Sequence, residues 1–290
     1  MEIISCAGNL IFCNKIIRRH YMSTQVKEQT LEEKWQNVTI ANNFIFYKVM
    51  HNNPDVCKEL LEILLEIKID HIVMRQEEEI AIDYGKKGVR LDVYAVGATQ
   101  SFDIEMQTTD TGELPERARY YQSILDVDDL NSGKNYNELK TSYVIFICIP
   151  DIFKKGLAKY TFENYCVEDN TIKLNDRTYK LFFIAENYDK ILNAEQKGVL
   201  KMVMNNESTT KFSDKVSDLV EDAKHNAYWR KQFIEFEIQQ RYQFSAGKKE
   251  GAQEKAVESA RELLKEGISP EVIARCVKLP LEQVLELKEK

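Results

Sequence analysis

The stretch GKKGVRLDVYAVGATQSFDIEMQ, residues 85–107, decides how the rest of the chain is read. It divides into two short β-runs, 89–96 and 101–107, around a turn. Side chains alternate faces along a strand. In the second run Phe102, Ile104 and Met106 share one face, and Asp103, Glu105 and Gln107 share the other. In the first, Val89, Leu91 and Val93 stand opposite Arg90, Asp92 and Tyr94. A hairpin with its apolar sides on a core brings Asp92 toward Glu105 and Gln107. Two carboxylates meeting at the centre of a sheet repel each other and lose hydration, a costly arrangement unless a cation joins them. Mg²⁺ is held by one or two carboxylates with water and substrate phosphate, so the pair is a candidate metal site for phosphodiester cleavage. An ordinary hairpin with one solvated face has the same pattern, and D…ExQ alone does not separate the two.

Outward from this centre, Lys86 and Lys87 precede the first run and Arg90 lies within it. They form either a solvated turn or a basic rim that meets phosphates. Downstream, TTDTGELP leads into a helix expected over 115–127, where Arg117 and Tyr121 share a face. Residues 142–149, SYVIFICI, are a nearly unbroken apolar run rich in β-formers. Such a strand is buried on both faces, so helices must cover both sides of the sheet. Further strands are expected over 160–167 and around a turn at Asn175 and Asp176. Upstream, helices are expected over 42–50 and 54–67, the second opened by Asn53 and Pro54. His51 and His71 stand alone, and surface or capping roles suit them.

Several separated segments agree, in order, with one family. RLD, the turn, DIEMQ and then LPERARYYQS resemble the PD-(D/E)XK nuclease family transposases, which include the recombination-promoting nucleases. The resemblance extends over roughly 42–242 through NNFIFYKVM and NYNELKTSYVIFICIPD. It implies a restriction-endonuclease-like mixed β-sheet flanked by helices, followed by a helical region and a small helical tail. It also implies a DNA endonuclease that uses Mg²⁺, with Mn²⁺ as an alternative. Asp92 takes the place of the first acidic residue and Glu105 the second, joined on the metal by the backbone carbonyl of Met106. Gln107 stands where many relatives have lysine and would orient the attacking water. Arg117, on the helix flanking the site, would contact phosphate or fix Glu105; an ion pair with Glu113 or Glu116 competes. With Lys86, Lys87, Arg90 and Tyr121 it makes up the expected DNA-contact set. Asn43 stands where relatives usually carry an acid, so it would offer the metal a neutral oxygen only. A weakened DNA-binding or regulatory descendant of such a nuclease is therefore the alternative.

The 290 residues, 43% of them hydrophobic, suffice for one sizeable core and an appendage. A net charge of −7 argues against a protein that coats nucleic acid indiscriminately. No apolar run is long enough to span a membrane. The six cysteines are scattered without a CxxC pair, which disfavours zinc or disulfides and suits a reducing cytoplasm. Residues 1–41 are expected to be a disordered lead, with Met22 as a candidate start. The nuclease-like core is assigned to 42–192 and a packed helical region to 193–246. Residues 247–290 are assigned to a linker helix and a helix-turn-helix-like tail that mediates homo-oligomer or other protein contacts.

Overall fold

The computed structural model describes residues 29–75, 91–130 and 132–288. Lys86, Lys87 and Arg90, with Val89 of the expected first β-run, lie outside the described residues. So do residues 1–28.

Six strands form one mixed sheet in the order β1-β2-β3-β4-β6-β5. They are β1 (Val73–Met74), β2 (Val93–Val96), β3 (Gln100–Gln107), β4 (Thr141–Cys148), β5 (Lys159–Phe162) and β6 (Thr178–Ile184). β2 and β3 are antiparallel, with Val93 opposite Ile104 and Tyr94 opposite Asp103. β4 runs parallel to both β3 and β6, as its apolar run requires. β5 pairs antiparallel with β6. Of the two strands expected around the turn at Asn175 and Asp176, the one before it is reduced to a single bridge, Tyr165 with Lys173, and Ile172 and Leu174 are exposed.

The helix α1 (Leu31–Gln36) falls inside the segment expected to be a disordered lead. Its capping box, Thr30 with Glu33, starts it. Trp35 anchors it, fully buried, with its indole N–H donating to the Lys224 carbonyl (3.0 Å). The folded core therefore begins by residue 30. α2 (Asn43–Asn52) is capped by the Asn42 side chain, which accepts from the Phe44 and Ile45 amides. α3 (Pro54–Leu65) starts on its proline, while Asn53 turns back to donate to the Val49 carbonyl rather than capping α3. Val56, Leu60, Leu61 and Leu64 are its buried stripe.

α4 (Leu114–Asp129) lies over β3 and β4, burying Leu114, Ala118, Tyr121, Ile124 and Leu125 against Tyr94, Val144, Phe146 and Phe182. That is the face shared by Asp103, Glu105 and Gln107. Phe102, Ile104 and Met106 are buried on the opposite side, so β3 is covered on both faces. The polar face is no solvated surface.

α5 (Ala194–Asn205) and α6 (Lys211–Lys224) complete the first of two compact units, residues 1–229. α7 (Ala227–Lys265) is a single helix of 39 residues, and Gly247 lies within it. No linker opens there. Gly267, at φ +77°, stops the helix run that follows. In the second unit α8 (Pro270–Val277) and α9 (Leu281–Lys288) close on the end of α7 around Ala260, Ile273, Leu279 and Val284. Leu279 is buried in this cluster, while Leu281 is 40% exposed. None of the described helices is long and apolar enough to cross a membrane.

Candidate active site

The site forms where β2 leaves β3. Continuing the antiparallel register would pair Leu91 with Met106 after Val93 with Ile104. Instead the chain bends at Asp92, and the Met106 amide donates to Asp92 Oδ2 (3.0 Å). The Asp92 amide in turn donates to Glu105 Oε1 (2.8 Å). Two crossed backbone-to-carboxylate bonds thus replace the next ladder rung and hold the strands apart at this point. The bend also reverses the expected side for Leu91, which packs with Tyr94 and α4 instead of with Val93. Both N–H and C=O of Met106 face the splayed edge, since a residue's two peptide groups point the same way in a strand.

Arg117 reaches down from α4 onto the same carboxylates. Its Nη2 donates to Glu105 Oε2 (3.2 Å) and its Nη1 to Gln107 Oε1 (3.0 Å). Nε and Nη2 also donate to the Tyr121 hydroxyl (3.3 and 3.0 Å). The guanidinium carbon lies 5.3 Å from the Tyr121 ring centre and 5.6 Å from that of Phe146. Arg117 is thus engaged with Glu105 and its surroundings, and no ion pair to Glu113 or Glu116 occurs among the described residues. Tyr121 is only 8% exposed and lies beneath the guanidinium, not at a face open to DNA. Burial, then the Glu105 charge, pushes its hydroxyl up to about 12. Gln107 donates to the Thr109 carbonyl (2.5 Å) while accepting from Arg117, so both ends of its amide are engaged. Asn43, the first residue of α2, turns its amide nitrogen toward Asp92 Oδ2 (3.4 Å). An amide beside a carboxylate must present its donor; its oxygen would face Asp92's neighbourhood only with a cation between them.

The electrostatics centre on two acids that α4 seals from water. Glu105 and Asp103 are 2% and 0% exposed. Burial pushes Glu105 well above the usual carboxylate range, and the charges of Asp103 and Asp92 add to it; the Asp92 amide and Arg117 oppose the shift. Asp103 is pushed up by burial and then by Asp92. Its two oxygens meet no donor at hydrogen-bonding geometry, and the adjoining carboxyl of Glu105 offers relief only by sharing a proton. Asp103 was legible as a neighbour of Glu105 but not as part of the site. Combining the i, i+2 spacing of DIEMQ with the doubly buried β4 beside it would have found it.

Asp92, Asp103 and Glu105 bring more acid to this point than the one guanidinium of Arg117 offsets. Asp92 and Glu105 suffice for Mg²⁺, which needs one or two carboxylates and keeps several waters. Among the described residues no group of three or more His, Cys, Asp or Glu side chains is arranged to hold a metal, so the fit rests on the pair. A separate cleft of about 710 Å³ between α3, α5 and α6 carries charges of both signs and includes none of these residues.

A family model described as PD-(D/E)XK nuclease family transposase matches residues 41–197, just over half of the chain. The match contains α2, the whole sheet and every group described above. No curated protein and no solved structure matches the chain.

Proposed function

This chain belongs to the PD-(D/E)XK nuclease family transposases, and from that premise we propose that it is a DNA endonuclease dependent on a divalent metal, Mg²⁺ or Mn²⁺. Its mixed sheet, flanking helices and helical C-terminal region are the restriction-endonuclease-like α/β architecture. The observation that supports the activity is the meeting of the Asp92 and Glu105 carboxylates where β2 bends away from β3, each accepting a backbone amide in place of the next ladder rung.

Asp92 and Glu105 would hold the metal, with the Met106 carbonyl at the same edge. A dication bound there supplies a Lewis acid to the scissile phosphate and makes a bound water acidic enough to attack. The chain's own residues prepare the ground for this. Arg117 fixes the rotamer of Glu105 through one oxygen and leaves the other to the Asp92 amide. Gln107 carries no charge, so it contributes placement through its amide and not electrostatic stabilisation. α4 excludes water from the inner side, which strengthens every charge interaction at the site.

The test is nicking of supercoiled plasmid with Mg²⁺ or Mn²⁺ against a chelator. Divalent-dependent nicking is expected, and its absence under every metal tested overturns the proposal. Asn43 supports the second reading, a DNA-binding or regulatory protein, because a neutral amide stands beside Asp92. Duplex binding without any cleavage would be its signature.

A further inference from the structure

The loop after β4, residues 151–156, lies on the same sheet face as the acids. Glu105, Phe146 and Phe182 are register partners across β3, β4 and β6, and Tyr160 of β5 continues the row. Phe153 seats on that row, edge-on to Phe182 at 5.1 Å and against Tyr160 at 4.6 Å. Phe182 stacks on Phe146 at 5.3 Å, and Phe146 lies under Arg117. Two strand spacings separate Phe182 from Glu105, about 10 Å. Ile149, which opens the segment, donates its amide to the Gln107 carbonyl (2.8 Å).

Asp151 makes this loop rigid. Its carboxylate accepts from the Phe153, Lys154 and Gly156 amides (3.1, 3.1 and 2.7 Å) and from the Tyr160 hydroxyl (2.9 Å). The Asp151 amide is held by Glu186, and Lys190 donates to the Gly156 carbonyl. The backbone at Lys154 is left-handed, at φ +54°, which a residue with a Cβ adopts only when its surroundings hold it there. Lys154 and Lys155 are both exposed. Among the described residues neither ammonium has an anionic partner, whereas Lys159, Lys173 and Lys190 all have acceptors or acidic partners.

Arg117 is engaged with Glu105, so the positive charge that a polyanion needs beside an acidic site must come from elsewhere. We infer that the loop 151–156 is a phosphate-gripping element, in which Lys154 and Lys155 hold the backbone of nucleic acid a short distance from the phosphate being cut. The inference rests on the nuclease reading for its substrate but not for its test. The geometry suits it: a pre-ordered loop loses little freedom on binding, and lysine contacts to phosphate carry no sequence preference.

The experiment compares wild type with Lys154→Ala/Lys155→Ala and Lys154→Arg/Lys155→Arg. Anisotropy of a fluorescent DNA duplex of arbitrary sequence is read in chelator across about 50 to 200 mM salt. The alanine pair is expected to bind roughly tenfold more weakly or worse, with the slope of log affinity against log salt reduced by about 1.8, the counterions of two phosphates. The arginine pair should keep the wild-type slope. Unchanged slope and affinity in the alanine pair, an equal loss in the arginine pair, or no duplex binding by wild type would each overturn the inference. Nicking by the wild-type protein is measured separately, with Mg²⁺ against a chelator, as the test of the nuclease reading alone. A protein that binds with the expected slopes yet never nicks would sink the nuclease reading and leave the loop standing.

Discussion

Asp151 and the Asp103–Glu105 pair sit on one sheet face, yet their carboxyls live in opposite surroundings. Burial pushes Asp151 up, but three amides and the Tyr160 hydroxyl outweigh it and hold the group below the usual carboxylate range. Asp103 and Glu105 are more deeply buried, have fewer donors and face one another, so both are driven well above that range. A carboxylate whose lone pairs are filled by the chain is finished as structure. One left short of donors is unfinished, and Glu105, which also meets Asp92 at the bend, is where a cation would complete the site.

The largest expected effect separates these two surroundings by activity. Glu105→Gln or Asp92→Asn should lower divalent-dependent plasmid nicking by at least about 10³-fold, roughly 4 kcal/mol of transition-state stabilisation. The amides keep the volume and part of the hydrogen bonding, so the circular dichroism spectrum should not change. Undiminished nicking by either variant would remove the proposed mechanism.

Stability should then split in sign. Asp151→Ala strands four donors at the loop and is expected to cost about 2–3 kcal/mol in urea unfolding. Asp103→Asn, which removes the cost of keeping a buried carboxyl protonated without donors, should instead raise the stability of the metal-free protein at pH 7 by about 1–2 kcal/mol. Two losses of similar size would break the comparison.

The pH dependence sharpens it further. Raised carboxyls keep protons in the folded state that the unfolded chain releases above about pH 4. The metal-free protein should therefore lose stability as pH rises from there through the folded values of Asp103 and Glu105, and Asp103→Asn should flatten that fall. Asp151 has the opposite sign, stabilising above about pH 4 and failing as pH drops below it. Thermal midpoints across pH with chelator present would read both, and a midpoint rising steadily from pH 4 to 8 would contradict the first.

Asn43→Asp should have the smallest effect. A charged oxygen beside Asp92 should lower the Mg²⁺ concentration for half-maximal nicking by a few-fold. No shift would put Asn43 outside the metal's surroundings.

Much of this was written in the order of residues. The alternation in DIEMQ set which side chains share a face, because a strand's period is two whatever surrounds it. The unbroken run SYVIFICI required cover on both faces and hence the α/β class. Arg117 and Tyr121, four apart, had to share one side of a helix. These are local consequences of backbone geometry, and the structure keeps them.

Tertiary structure alone decided the rest, because it depends on which surfaces meet. The order of residues required cover on both faces and a helix beside the site, but only the packing of α4 showed how completely Asp103 and Glu105 are sealed from water. The bend at Asp92, with carboxylates taking the place of a ladder rung, appears only when both strands are in register. Trp35 drew a polar-looking lead into the core because a pocket beside Lys224 awaited it. The glycine at 247 did not open a linker, since one glycine costs a long helix only about 1 kcal/mol, within what the rest of α7 can absorb.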